Sequence, residues 1–139
     1  MSLKSLMTTD LVTVRMDDSL AMVKGIFDNT NFHHLLVVEN KTLVGVISDR
    51  DLFKALSPNI DSEVANAKDL ATLNKKVHQI MSRKPIVIAP DASVKQAITL
   101  FNEHTISCLP VVDENDKPVG IISWRDIMRE LEIRLNKVK

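Results

Sequence analysis

Cysteine occurs once in this chain, at Cys108; tyrosine is absent, tryptophan occurs once and glycine three times. A single cysteine leaves no internal disulfide and no cysteine-rich zinc site. No GxGxxG fingerprint, Walker-type loop or HExxH-like ligand spacing is present, so neither a resident cofactor nor a metal is expected. Neither sign of charge is in excess, with 18 basic and 18 acidic residues. Duplex binding usually needs a basic surplus to displace phosphate counterions, and stacking on single strands needs more aromatics than four Phe and one Trp. Nucleic acid is therefore not an expected partner. Apolar runs such as Leu35–Val38 are only four residues long, far short of the roughly 18 that a membrane span requires. The N-terminal Met-Ser-Leu-Lys-Ser-Leu has no apolar stretch of signal-peptide length. No membrane partner is expected, and a cytoplasmic location is the default expectation.

What the chain does contain is a repeat. Its 139 residues are 45% apolar and 26% charged, enough for one ordinary domain or two very small ones. A shift of 74 places sets Met7 on Met81, Asp17 on Asp91, Ser19 on Ser93, Phe27 on Phe101, Leu35 on Leu109 and Val37-Val38 on Val111-Val112. After one extra residue in the second copy, Val44-Gly45 meets Val119-Gly120, Ile47-Ser48 meets Ile122-Ser123, and Arg50-Asp51 meets Arg125-Asp126. The matches include polar positions that a core does not demand. Two copies make no solenoid, so a pseudo-symmetric pair is expected.

Each copy reads as strand, helix, strand, strand, helix. Val12-Thr13-Val14 and Ile86-Val87-Ile88 are β-branched runs that end in turn residues. Leu20, Val23 and Phe27, and Val94, Ala97, Ile98 and Phe101, share one helical face, and Ser93 with Gln96 forms a capping-box pattern. Leu35–Val38 and Leu109–Val112 read as strands covered on both faces; Val44–Ile47 and Val119–Ile122 give the third strands. The final helix begins at Ser48 or Ser123, and its second copy is longer, with Ile127, Leu131, Leu135 and Val138 on one stripe. The expected division is 1–58 for the first motif, 59–76 for a connector with a short helix over Glu63–Leu73 held by Val64, Leu70 and Leu73, and 77–139 for the second motif with its extended helix. The expected fold class is α+β, two βαββα motifs packed sheet to sheet with pseudo-twofold symmetry, burying Val37, Val111, Ile47 and Ile122.

Four local patterns carry a resemblance. They are Met7 ahead of Leu11-Val12 and Met81 ahead of Pro85-Ile86; Asp-x-Ser before the first helix; Leu-(Leu/Pro)-Val-Val; and Val-Gly-(Val/Ile)-Ile-Ser-x-Arg-Asp. Over Leu3–Leu56 and Val77–Leu135 the chain resembles the CBS-domain family, in its paired form the Bateman module. The resemblance implies a regulatory, non-catalytic module that binds AMP, ADP, ATP or S-adenosylmethionine in clefts between the paired motifs, often as a disc-shaped dimer, and signals to an effector protein the sequence does not identify.

It also implies roles for particular residues. Asp51 and Asp126 would accept hydrogen bonds from both ribose hydroxyls, since one carboxylate can serve a cis-diol. Ser48 and Ser123 would offer hydroxyl and N–H groups to phosphate at a helix N-terminus, with His33, His34, Arg50 and Arg125 as further phosphate partners. Adenine would lie in an apolar slot near Val12 or Ile86 and the backbone of Leu35 or Leu109. A plainer reading stands beside this one: Ser-x-x-Asp is also a capping box, and an acid in the first turn suits the helix dipole. The residues matching His33-His34 are Ser107-Cys108, so the two clefts are expected to differ. Cys108 near His104 suggests a nucleophile and base, but its repeat partner is His34, which favours a core or cleft cysteine. Trp124 either stacks on a base or sits at a contact, and the C-terminal helices with Trp124 are expected to join a homodimer. The competing expectation is a structural dimerisation module with degenerate clefts that binds no nucleotide.

Overall fold

The structure is a computed structural model that describes residues 2–138. Its elements in chain order are α1 (Leu3–Leu6), β1 (Thr13–Val14), α2 (Leu20–Asp28), β2 (His34–Glu39), β3 (Thr42–Ser48), α3 (Asp49–Ala55), α4 (Ala67–Ala71), a 3-10 turn (Thr72–Asn74), α5 (Val77–Ile80), β4 (Ser82–Arg83), α6 (Val94–Glu103), β5 (Cys108–Val112), β6 (Pro118–Ser123) and α7 (Trp124–Lys137). Both βαββα patterns are present, the second with a single bridging residue, Ile88, in place of a full first strand.

The packing divides into two units whose boundaries fall elsewhere than the repeat boundaries: one runs Val12–Lys84, and the other joins the N-terminal segment through Leu11 to the chain from Pro85 onward. In the first, β1 lies parallel to β2, β2 antiparallel to β3, and β3 antiparallel to β4. The second repeats this in outline. Ile88 bridges Val111 in parallel, β5 pairs with β6 antiparallel, and Thr8 bridges Ile121 antiparallel. By repeat position Thr8 corresponds to Ser82, which pairs with Val46. Each motif is therefore completed at its edge by a lead-in segment. Sequence periodicity misses β4, α1 and α5 because elements of two to four residues show no period.

Local chemistry explains the helix starts and turns. Ser19 accepts the Met22 N–H, and Ser93 and Gln96 cap each other reciprocally at 3.1 and 2.8 Å, as the capping-box pattern predicts. Asn40 and Lys41 both have positive φ, the conformation of a two-residue type I′ hairpin, which joins β2 to β3 with the twist those strands require. A register shift falls at Val37/Val38 and again at Val111/Val112, the same place in each repeat.

Each unit has its own apolar cluster. Val14, Leu20, Val23, Leu35, Val37, Ile47, Leu52 and Val77 form one; Leu3, Ile88, Ala97, Leu109, Val111 and Ile122 form the other. Val37, Val111, Ile47 and Ile122 are all fully buried. Two expectations need correction. Ile127 packs inward against the second cluster and leaves the outer stripe of α7. In the connector Val64 and Leu70 are exposed, so Leu73 packs on the core while polar bonds hold the turn: Ser57 Oγ donates to Asp69 at 2.7 Å, and Asn66 and Asp69 cap α4.

Candidate functional site

The same polar frame recurs where the third strand of each repeat runs into its last helix. In the first repeat Ser48 ends β3 as the N-cap of α3; its N–H donates to Asp51 Oδ2 at 2.9 Å, and its Oγ accepts the Asp51 N–H at 3.1 Å. In the second, the Ser123 N–H donates to Asp126 Oδ2 at 2.8 Å, and Ser123 Oγ accepts the Asp126 N–H at 3.2 Å. Asp126 Oδ1 lies 3.4 Å from the Arg129 guanidinium. Both carboxylates are half-buried. The antiparallel register sets His34 opposite Ser48 and Cys108 opposite Ser123, so the first residue of each central strand faces the cap serine.

Around this common frame the side chains differ. His33 is exposed, pairs with Asp49 (Nδ1 to Oδ2, 2.9 Å), and its carbonyl accepts the Asp49 N–H at 3.0 Å. His34 is half-buried, and burial holds its pKa below the usual imidazole value. The Asp49 and Asp51 carboxylates oppose that shift, while His33 and Arg50 add to it. In the second repeat Asp49 is replaced by Trp124, which is exposed with the Arg125 guanidinium 5.8 Å above its ring. Cys108 is buried and its thiol is pushed up to about 12 by desolvation, so it stays protonated and is no nucleophile at neutral pH. Arg50 and Arg125 are both exposed.

The apolar residues assigned to the slot fall at matching places. Val12 immediately precedes β1, whose Thr13 pairs with Leu36, which puts Val12 level with Leu35. Ile88 pairs in parallel with Val111, so Ile86 is level with Leu109. Val12 and Ile86 are half-buried, whereas the Leu35 and Leu109 side chains are core, leaving only their backbone for a ligand. The structure thus gathers His33, His34, Ser48, Asp51, Val12 and Leu35 about the strands of one repeat, and Ser123, Asp126, Ile86 and Leu109 about those of the other. A cavity of about 590 Å³ opens elsewhere, between the Val87–Ala89 segment with Ala92 and the Gln96 and Leu100 side of α6, and includes none of the assigned residues. Lys95 and Thr99 also line it. Among the described residues no helix is long and apolar enough to cross a membrane, and no acidic, His or Cys cluster suits a metal ion.

Comparison with known proteins adds three findings. A model of the family described as "CBS domain" matches residues 3–58 and 77–133. A homoserine O-acetyltransferase from Methanococcoides burtonii is 32% identical over 129 residues, 92% of this chain but 24% of that protein; the chain spans about a quarter of the first curated relatives it matches. Among solved structures, the CBS domain pair of protein MJ0100, in complex with 5′-methylthioadenosine and S-adenosyl-L-methionine, has a TM-score of 0.77 at 27% identity, covering 94% of this chain and 99% of that one. CBSX2, from Arabidopsis thaliana, in complex with AMP, also has a TM-score of 0.77 at 27% identity, covering 96% and 98%.

Proposed function

This chain belongs to the CBS-domain family as a tandem pair, and on that premise we propose that it is a regulatory, non-catalytic module that binds an adenosine-type ligand and passes its occupancy to a partner chain. The observation that carries this reading is the twofold occurrence of one frame: a serine cap and a half-buried aspartate at the head of the last helix, each facing the first residue of the central strand. The adenosine ligands named for the two solved relatives support the class, AMP, ADP, ATP or S-adenosylmethionine. Asp51 and Asp126 accept the ribose hydroxyls through the carboxylate oxygen that points away from the cap. His33, His34, Ser48 and Arg50 take the phosphate in the first repeat, and Ser123 and Arg125 in the second. Adenine packs by Val12 or Ile86 and bonds the backbone of Leu35 or Leu109. A cytoplasmic setting suits such a sensor. Ligand binding alters the partner only to the extent that it favours one arrangement of the module over another.

A second reading rests on the capping boxes themselves. Asp51 and Asp126 are engaged by their own helices, which fits a structural module with no ligand. A thermal-shift screen with adenine nucleotides separates the two, since a ligand at 100 times its dissociation constant stabilises the fold by about 2.7 kcal/mol. A shift with AMP or S-adenosylmethionine that disappears in the Asp51→Ala, Asp126→Ala double variant supports the sensor. A double variant that stays folded and keeps the full shift assigns both carboxylates to capping alone.

A further inference from the structure

The first strand position of the second repeat lies at a sheet edge that the first repeat guards and the second leaves open. Ile88 donates its N–H to the Pro110 carbonyl, and its own carbonyl accepts the Val112 N–H, both at 3.0 Å. Its neighbours Val87 and Ala89 therefore direct their backbone groups outward, away from β5. Among the described residues, the N–H groups of Val87 and Ala89 and the Val87 carbonyl take part in no hydrogen bond. At the matching place in the first repeat, the Arg15 N–H donates to Asp18 Oδ2 at 2.7 Å, and the Arg15 guanidinium pairs with Glu39 at 3.1 Å. Charged side chains so placed protect a sheet edge from further pairing. In the second repeat Ala89 replaces Arg15 and Ala92 replaces Asp18, so both the charge and the cap are gone. The turn itself is kept: the Asp18 N–H reaches the Arg15 carbonyl and the Ala92 N–H the Ala89 carbonyl, both at 3.1 Å.

The cavity of about 590 Å³ runs along this open edge, with Val87 37% exposed on one wall and Lys95, Thr99 and Leu100 of α6 on the other. A groove between an unpaired edge and a helix suits an extended peptide that adds as a further strand. Its backbone bonds the edge, and alternate side chains enter the groove. The helical wall also departs from the first repeat, where Ala21 and Gly25 stand at the positions of Lys95 and Thr99. Lys95 is exposed and makes no ion pair among the described residues. We propose that this edge docks an extended acidic segment of a partner chain. The segment adds as a strand beside Val87–Ala89, sets an apolar side chain against Leu100 and presents a carboxylate to Lys95. The Val87 and Ala89 N–H groups donate to its carbonyls, and the Val87 carbonyl accepts one of its N–H groups. The first repeat takes no such strand, because Asp18 already holds the Arg15 N–H and Arg15 is already paired with Glu39. Docking here asks nothing of the adenosine clefts and does not rest on their binding a ligand.

Selection of a random dodecapeptide phage library on the intact chain, without nucleotide, followed by amide-resolved NMR titration of the selected peptides, tests this surface. The expected peptides alternate apolar residues and carry Asp or Glu. They shift the Val87 and Ala89 amides and slow the exchange of both with deuterium. Ala92→Asp grafts the first repeat's own cap onto the Ala89 N–H and weakens binding about tenfold or more. Lys95→Glu weakens it about tenfold, while Lys95→Arg stays within about threefold of wild type. Thr99→Trp, at an exposed position of α6, fills the groove and blocks binding with the far-ultraviolet circular dichroism unchanged, which keeps the test intact should Ala92→Asp disturb the fold. Peptides that leave both amides unshifted, a folded Ala92→Asp variant that binds as tightly as wild type, or a Lys95→Glu variant with no loss overturns the proposal. So does a selection that enriches no peptide, and a groove that then responds to decanoate is a small-anion site and not a strand dock.

Discussion

The two repeats set the same backbone around different side chains. In the first, the junction of central strand and last helix carries His33, His34, Asp49, Arg50 and Asp51; in the second, Ser107, Cys108, Trp124, Arg125 and Asp126. The serine-aspartate cap is the same in both to within a few tenths of an ångström. Arg50 and Arg125 are also shared; what differs is the strand-start pair and the residue after the cap serine. One junction holds a pair of imidazoles beside carboxylates; the other buries a neutral thiol and projects an indole. A duplicated frame can thus carry two imidazoles in one copy and a buried thiol with an exposed indole in the other, because the cap fixes the helix whatever surrounds it.

The sharpest contrast is between His34 and its counterpart Cys108. With the thiol held up at about 12 against an ordinary 9, its thiolate population at pH 8 falls on the order of a thousandfold. Labelling of Cys108 by iodoacetamide should therefore be slower by about that factor in the folded protein than in urea. Rapid labelling under native conditions breaks the claim that this junction is sealed.

Next in size is the pair of close approaches at Gly45 and Gly120. A Cβ on Gly45 meets the Met81 sulfur at 2.8 Å and the Ser82 carbonyl oxygen at 2.9 Å; on Gly120 the three nearest atoms all belong to the Met7 side chain, the sulfur closest at 2.6 Å. A thioether can rotate away, whereas a backbone carbonyl paired in a sheet cannot. Gly45→Ala should cost about 1–3 kcal/mol and Gly120→Ala less than about 1 kcal/mol, read from urea midpoints. Equal losses would remove this distinction between the lead-in segments.

The smallest effect is the pH dependence of the first junction. Burial lowers the folded-state pKa of His34, so below the ordinary value of about 6.5 the unfolded chain binds more protons than the folded one. Stability is complete above that pH, falls as pH drops toward the lowered folded value, and levels off beneath it. His34→Gln should flatten this part of the profile, while Cys108 contributes nothing in the same window. An unchanged slope in the variant places the titration elsewhere.

Sequence and structure agree most closely where the signal is local. The unbroken apolar runs at Leu35–Val38 and Leu109–Val112 identify the buried central strands, and Ser-x-x-Asp and Ser-x-x-Gln identify helix starts, because both depend on near neighbours. The match of Met7 with Met81 is equally visible, but that each seals a distant glycine is not, since nothing near Met7 points to Gly120. A helical period fixes spacing without fixing which of two neighbouring faces meets the core, so the sequence alone puts Ile127 on the outer stripe although it packs inward. For the candidate site, residue types and repeat positions are legible from the sequence, whereas the His33–Asp49 pair and the partial burial of His34 depend on how β2 and α3 meet.

The central claim, that one frame serves two unequal adenosine sites, is tested most directly by calorimetric titration of AMP into Asp51→Ala and Asp126→Ala. Losing charge-assisted bonds of roughly 1.5–3 kcal/mol lowers affinity about ten- to a hundredfold, while losing a cap costs the fold only about 1 kcal/mol. The account predicts two classes of site in the wild type, with the tighter lost in Asp51→Ala, where the imidazoles stand, and the weaker lost in Asp126→Ala. Two folded variants that both retain the wild-type isotherm, or a tighter site that vanishes with Asp126 instead, contradict it.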